Sequence, residues 1–181
     1  DLKFVCFNAD NWIGNGQLIP SGPLREKIDS LKKFDALIIN NDNNSNLDNI
    51  FKIIKSINPQ IEIFCSNFIV ENSTDFDKSK SYVSFCGIGN PLSFKKILIK
   101  EKFKIIKEIT FPDHFEYDND KINKIINKAK KLNAKLITTE KDFVKISDIF
   151  QKDIGFLKVR INFEKEEKLK KFLEYKLNEI S

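Results

Sequence analysis

Short apolar runs, rich in β-branched and aromatic residues, alternate along this chain with longer runs of helical period. The predicted strands cover residues 2–7, 35–40, 61–70, 82–88, 104–111, 134–139 and 154–163. The predicted helices cover residues 23–34, 47–58, 89–103, 118–133, 144–150 and 164–180. Strands joined by crossover helices form right-handed units whose parallel sheet is covered on both faces. The alternation therefore predicts an α/β fold with a parallel sheet in three layers.

The stretch ENSTDFDKSKS, at residues 71–81, interrupts this alternation. It is polar and has few apolar residues, which is typical of a linker or a domain hinge. We therefore predict two α/β domains, residues 1–75 and a smaller second domain within residues 76–181. We expect the closing helix, at 164–180, to pack back on the first domain.

The composition is that of a globular protein, because 41% of the 181 residues are hydrophobic and 31% are charged. The sequence contains no run of about 18 apolar residues, the length that a membrane-spanning helix needs. Three widely spaced cysteines predict reduced thiols and a cytosolic context, and one histidine with scattered cysteines predicts no metal site. The net charge of +5 is typical of a solvated, lysine-rich surface, and it also favours anionic partners. Acidic residues are interleaved with the basic ones on the predicted helices, which argues against a nucleic-acid binder.

Polar and glycine-rich stretches follow the predicted strands, at the edge where parallel α/β sheets bind their ligands. They are NADNWIGNG (8–16), GIGN (87–90), PDH (112–114) and TTEKD (138–142). The only histidine, His114, therefore lies with Asp113 on the expected functional edge. This pair is a candidate general acid and base, or a histidine whose charge is held by a carboxylate near a transferring phosphoryl group.

Further residues are candidates for binding a substrate or a nucleotide. They are Asn15 and Gly16 in the first stretch, Arg25 and Glu26 in the first turn of the predicted helix 23–34, and Glu140, Lys141 and Asp142 in TTEKD. Arg25 and Glu26 fit a surface ion pair, or a site where Arg25 holds a phosphate or carboxylate with two donors. Arginine is rare here, with only two among 31 basic residues, which favours the second interpretation. GIGN fits a phosphate cradle or an ordinary turn before a helix, and TTEKD fits a binding loop or a capped, ion-paired loop. A Walker A loop, GxxxxGK[ST], is absent from the sequence.

Four stretches in register resemble the lipid A 4′-kinases, the tetraacyldisaccharide 4′-kinase family. They are DLKFVCFNADNWIGNGQLIPSGPLRE, FCGIGNP, FPDHFEY and TTEKDFVKI, in this order across residues 1–146. The family patterns are close to a DLDIVVVD-type strand with GNGxLLPAGPLRE, then FCGIxNP, FPDHHxY and TTEKDxVKL. This chain departs from them at several positions, among them Asn8 in place of an aspartate and Phe115 in place of a second histidine.

The resemblance implies a P-loop kinase with two α/β domains that close over the site. Such enzymes use ATP and Mg²⁺ to phosphorylate the 4′-hydroxyl of tetraacyldisaccharide 1-phosphate, giving lipid IVA, as peripheral proteins at the cytoplasmic face of the bacterial inner membrane. The chain would then be the downstream part of the enzyme, and residues 1–75 would end the P-loop domain. We expect the Walker A loop and the main ATP and Mg²⁺ ligands to precede Asp1, in line with the absence of methionine, and we expect this chain alone to be inactive.

The family motifs also imply roles for the candidate residues. Asp113 and His114 would approach the phosphates and stabilise the transferring charge. Arg25 and Glu26 would lie on the first domain's side of the cleft, and TTEKD would either contact the ligand or support the residues that do. The alternative is a non-catalytic, Rossmann-like module that binds a nucleotide or another anion.

Overall fold

The computed structural model describes residues 1–180, and the side chains through Asn178. Within this range the strands are β1 (Phe4–Asn8), β2 (Ala36–Asn40), β3 (Glu62–Val70), β4 (Ser81–Cys86), β5 (Lys104–Thr110), β6 (Lys135–Thr139), β7 (Ile154–Leu157) and β8 (Val159–Phe163). The helices are α1 (Asp48–Ile57), α2 (Pro91–Lys100), α3 (Asn119–Lys131), α4 (Glu140–Phe143), α5 (Asp148–Gln151) and α6 (Glu166–Ile180), with 3₁₀ helices at Ile28–Lys33 and Ser73–Asp75. The predicted α/β fold with parallel sheets is confirmed.

The chain divides into two compact units. The first contains residues 1–69 and the residues from 161 onward, and the second contains residues 70–160. The first unit holds a sheet of strand order β1-β2-β3-β8, and the second a sheet of order β5-β4-β6-β7. The pairs β1–β2, β2–β3, β4–β5, β4–β6 and β6–β7 are parallel. The division into domains at residues 1–75 and 76–181 stays a prediction.

The sheet of the first unit has one face against α1 and the 3₁₀ helix Ile28–Lys33. The buried residues of this face are Leu31, Leu37, Ile39, Leu47, Ile54 and Ile61. Successive side chains of a strand point to opposite faces. On the other face, the ring of Phe172 from α6 lies 6.1 Å from that of Phe4 and 5.4 Å from that of Phe64. Apolar side chains therefore pack on both faces of the sheet.

The sheet of the second unit is covered on both faces, because alternate side chains of β4 pack into two different apolar clusters. Val83 and Phe85 pack in one cluster with the apolar stripe of α3. Tyr82 and Cys86 pack in the opposite cluster with Phe94 of α2. The arrangement places the carboxyl ends of β4, β5 and β6 side by side, which brings the loops after these strands together.

The stretch 71–81, predicted as a linker or hinge, is bonded within the second unit. The Asn72 side chain donates to the Phe156 carbonyl and accepts from the Lys158 N–H, both at 2.9 Å. The Lys78 ammonium lies 3.2 Å from the ring centroid of Phe103, a cation–π contact. Hinge motion at this stretch stays a prediction.

The helix predicted at 23–34 is wrong in its first half. Leu24 pairs with Leu18 in an isolated parallel bridge, and helical structure begins only at Ile28, as a 3₁₀ helix. The apolar residues Ile28, Leu31 and Phe34 recur every three residues, which fits the 3₁₀ period. Arg25 and Glu26 therefore lie in an irregular segment and not in a first helical turn.

Two further predictions near the end of the second unit are corrected. The strand predicted at 154–163 is two strands, β7 and β8, which belong to different sheets and are separated by Lys158. No glycine or proline marks the break, since Gly155 lies within β7. Residues 140–142 form the start of the short helix α4 and not a loop, and the helix predicted at 144–150 is confined to α5 at its end.

Candidate functional site

The loops after β4, β5 and β6 meet at the carboxyl edge of the second sheet. The Gly87 N–H, in GIGN, donates to Asp142 Oδ2 of TTEKD at 2.9 Å. A methyl group added at Gly89 would lie 3.1 Å from Asp113 Oδ2, so GIGN also lies against the PDH loop. Lys141 Nζ is 3.3 Å from Asp113 Oδ1, which joins PDH to TTEKD. Three of the stretches predicted to lie at this functional edge therefore form one site in the second unit.

His114 lies at the tip of this site, in a tight turn. The Phe115 N–H donates to the Pro112 carbonyl at 3.2 Å, and His114 has a positive φ of 59°. The His114 side chain is 78% exposed, so its ring is available to a ligand. Asp113 and His114 therefore lie in a turn and not in an extended strand, in which adjacent side chains would point apart.

Asp113 fixes this turn more than it fixes the histidine ring. Its Oδ1 accepts from the His114 main-chain N–H at 3.0 Å, whereas its Oδ2 is 3.7 Å from His114 Nε2, too far for a hydrogen bond. Desolvation alone would raise the pKa of Asp113, but the Lys141 ammonium and the His114 N–H and ring together lower it below its ordinary value. Asp113 is therefore held as a carboxylate between a lysine and a histidine.

Asp142 differs from its neighbours in TTEKD because its side chain is completely buried. Glu140 and Lys141 are exposed. Thr139 caps α4, since its hydroxyl oxygen accepts from the Asp142 N–H at 3.1 Å. The spacing Thr-x-x-Asp is a sequence signal for this cap.

Sequence reasoning missed Tyr117, which lies in the same buried layer. Its hydroxyl is 3.1 Å from the position that a methyl group at Gly87 would take. Burial, and then the charge of Asp142, raise the pKa of the Tyr117 phenol. The sequence signal for Tyr117 is its place as the last residue of FPDHFEY, three residues after His114. It was missed because only Asp113 and His114 of this stretch were considered as site residues.

The other predicted residues lie in the first unit. The Asn15 side chain is bonded within its own loop, because it donates to the Ser21 carbonyl at 2.8 Å and accepts from the Gln17 N–H at 3.1 Å. Gly16 has a φ of 74°, which suits glycine at a turn. Arg25 and Glu26 are exposed and line a groove of about 560 Å³ along β1. Asn15 and Gly16 are not among the residues that line this groove.

Among the side chains through Asn178, no group of three from His, Cys, Asp and Glu is placed to hold a metal ion. Across residues 1–180, none of the helices combines the length and the apolar character needed to cross a membrane.

Comparison with known proteins identifies the family. The family model described as tetraacyldisaccharide-1-P 4′-kinase matches residues 1–178. The chain belongs to the tetraacyldisaccharide 4′-kinase family. Among the relatives of that name, the Pelagibacter ubique protein is 42% identical over 99% of this chain and 56% of its own length. The Rickettsia felis protein is 35% identical over 82% of this chain and 44% of its own length.

A solved structure in this kinase family has the same fold. A crystal structure of LpxK from Aquifex aeolicus in complex with ATP matches with a TM-score of 0.58 and 22% identity, over 96% of this chain and 52% of that one. The family resemblance of the four sequence stretches and the predicted kinase-like α/β fold are thus confirmed. The chain spans about half the length of the relatives that it matches.

Proposed function

We propose that this chain works as part of an ATP-dependent lipid kinase. The kinase would transfer the γ-phosphate of ATP to the 4′-hydroxyl of tetraacyldisaccharide 1-phosphate, giving lipid IVA. Membership of the tetraacyldisaccharide 4′-kinase family supports the reaction. The grouping of His114, Asp113 and Lys141 at one sheet edge is the observation that supports a part for this chain in it.

The proposed roles follow from the charge that develops in phosphoryl transfer. Negative charge spreads over the oxygens of the transferring group, so catalysis consists largely of positioning and electrostatic stabilisation. The exposed His114 ring would donate to the transferring phosphoryl group, and Asp113 would hold the turn that presents it. Lys141, with Glu140 beside it, would meet the phosphates of the nucleotide as a positive charge with three donors.

The proposal extends to the first unit and to the partners of the kinase. Arg25 and Glu26, with the Asn15–Gly16 loop, would bind the nucleotide or the lipid headgroup. Mg²⁺ would accompany ATP. With a lipid A precursor as substrate, the protein would work at the cytoplasmic face of the bacterial inner membrane, as a peripheral protein with no nucleic-acid partner.

A chimera tests this function directly. The matched segment of the Pelagibacter ubique relative is replaced by this chain, and the product is assayed with γ-labelled ATP and tetraacyldisaccharide 1-phosphate. We expect label to appear in the lipid, and none when the segment is deleted. A folded chimera that binds ATP and transfers no label would contradict the proposal and favour the non-catalytic binding module.

A further inference from the structure

A buried carboxylate lies beneath the exposed residues of the site. The Asp142 side chain is completely buried, and its Oδ2 accepts from the Gly87 N–H at 2.9 Å and from the Thr139 hydroxyl at 2.8 Å. A buried charge is costly unless it is paired and hydrogen-bonded. Lys145 Nζ, 3.5 Å from Asp142 Oδ1, provides the opposite charge.

Asp142 and its lysine connect the loops that form the site. Gly87 is the first residue of GIGN, so its bond to Asp142 ties the loop after β4 to α4. Lys145 Nζ also lies 3.5 Å from the main-chain oxygen of Phe115, the residue that follows His114. The Asp142–Lys145 ion pair therefore contacts both GIGN, through Gly87, and the segment that follows the PDH turn, through Phe115.

The aromatic residues of FPDHFEY also hold the PDH turn in place, because they pack on one another on both sides of it. The rings of Phe111 and Phe115 stack at 4.3 Å, and both meet the ring of Tyr117 edge-on, at 5.5 and 5.2 Å. Among the residues that the structure describes, neither the Tyr117 hydroxyl nor Asp142 Oδ1 has a hydrogen-bond partner. The Tyr117 hydroxyl lies 3.1 Å from the position that a methyl group at Gly87 would take, and the Gly87 N–H donates to the other oxygen of Asp142, so the tyrosine and the carboxylate lie against the same residue.

We infer that Asp142 is a positioning residue, which holds the turn of Asp113 and His114 against GIGN and does not itself touch ATP or the lipid. The effect of Asp142 on the reaction rate rests on the proposed function, whereas its effect on the geometry of the turn rests on the contacts described above. Full burial separates Asp142 from any ligand, whereas the neighbouring Lys141 and the turn itself are exposed. Within TTEKD, Lys141 is therefore placed for contact with a ligand, and Asp142 for support of the residues that make contact.

The positioning role is tested on the chain itself, because its only histidine gives a single set of imidazole NMR signals. Asp142→Ala removes the acceptor for Gly87 and the partner of Lys145. We expect shifted and broadened His114 ring signals, and faster amide exchange at Gly87 and Phe115. Asp142→Asn keeps an oxygen that can accept from Gly87, so it should restore much of the wild-type spectrum.

Asp148→Asn is the matched control, since it removes an exposed carboxylate from α5 and should leave the His114 signals in place. If Asp142→Ala does not fold, Thr139→Val carries the test, because it keeps the carboxylate and removes the hydroxyl that donates to it and accepts from the Asp142 N–H. Unchanged ring signals and exchange rates in folded Asp142→Ala or Thr139→Val would overturn the inference.

Kinetics in the chimera separate positioning from binding. Displacing a catalytic group by about 1 Å can cost on the order of 100-fold in rate. We therefore expect Asp142→Ala to lower kcat at least about tenfold with the KM for ATP unchanged, and Asp142→Asn to recover part of the loss. A raised KM with an unchanged kcat would overturn the inference in favour of nucleotide contact. A chimera that is inactive with the wild-type chain would count against the proposed function instead, and the NMR comparison would still decide whether Asp142 holds the turn.

Discussion

His114 has a left-handed backbone at the third position of the turn that the Phe115 N–H and the Pro112 carbonyl close, a position that glycine or asparagine usually fills. Positive φ values also occur at Lys102 and Asn133, which follow helices α2 and α3, where this conformation is a common way to end a helix. His114 follows no helix, and the conformation costs a non-glycine residue on the order of 1 kcal/mol or more. Such strain is concentrated at functional sites, which supports a functional reason for presenting this ring.

The first prediction concerns the ring itself. In the chimera, His114→Ala should lower turnover at least roughly tenfold, because the ring supplies a donor to the transferring phosphoryl group. Glu116→Gln, an exposed change in the same loop, should leave turnover unchanged. Circular dichroism and thermal melting of each variant exclude unfolding as the cause. Wild-type turnover in His114→Ala would remove this residue from the mechanism.

The sequence predicted the position of this residue but not its geometry. Strand ends can be read from apolar runs, so Asp113 and His114 could be assigned to the functional edge. The turn depends on the bond from Phe115 to Pro112, and the spacing of the motif does not indicate that bond. The burial of Asp142 was hidden for a similar reason, since a carboxylate in a polar stretch looks exposed until its partners are known.

Among the elements, helices were predicted well where a wide apolar stripe repeats at the α-helical period. The residues of α3 that face the core, among them Ile122, Ile125 and Ala129, follow this rule. The segment before β2 was predicted poorly because a short apolar run at intervals of three fits two kinds of helix. The break between β7 and β8 was missed because it depends on which sheet each half joins, a contact between residues distant in sequence.

The loop between β4 and α2 supports a second prediction, based on two glycines in GIGN. A methyl group at Gly87 would lie 3.0 Å from Phe115 Cβ and 3.2 Å from the Pro112 main-chain oxygen. Gly87→Ala should therefore destabilise the chain by about 1–3 kcal/mol, through overpacking against the PDH turn.

Gly89→Ala is the control, because its methyl would meet only the side chain of Asp113, at Oδ2, whereas the hydrogen bonds from His114 and Lys141 go to Oδ1. We expect this variant to stay within about 0.5 kcal/mol of wild type. Urea unfolding of the two variants measures the difference. Equal stability of both variants would show that GIGN and the PDH turn do not pack as described.

At the scale of the whole molecule, the reactivity of the three thiols measures the burial of strands in both units, since Cys6 and Cys65 lie in the first and Cys86 in the second. Cys6 is exposed on β1, and Cys65 is half-buried on β3, where burial and then the charge of Glu164 raise its pKa. Cys86 is buried on β4, and desolvation, followed by the charge of Asp142, raises its pKa to about 11. Only about one Cys86 side chain in a thousand would be a thiolate near pH 8, and the thiolate is the reactive form.

We therefore predict one fast thiol in the native chain. With Ellman's reagent near pH 8, Cys6 should react first and Cys86 only after denaturant is added, because Cys6 is exposed whereas Cys86 is buried and its raised pKa keeps it protonated. Peptide mass spectrometry assigns each labelled site, and Cys6→Ser should abolish the fast phase. Fast labelling of Cys86 in native protein would mean that β4 is not buried as the structure has it.

The second unit is one contiguous stretch of the chain, residues 70–160, whereas the first unit is built from two separate stretches. The first unit is interrupted once, between residues 69 and 161, and resumes along β8, the neighbour of β3 in its sheet. The ends of the second unit meet, since the Glu71 N–H donates to the Lys158 carbonyl at 2.9 Å and Arg160 Nε lies 3.0 Å from Glu71 Oε1. In genetic terms the second unit is a cassette, because one contiguous stretch of codons encodes all of it. A single recombination event could exchange the whole histidine-bearing site for that of another lineage and leave the order of strands in the first sheet intact.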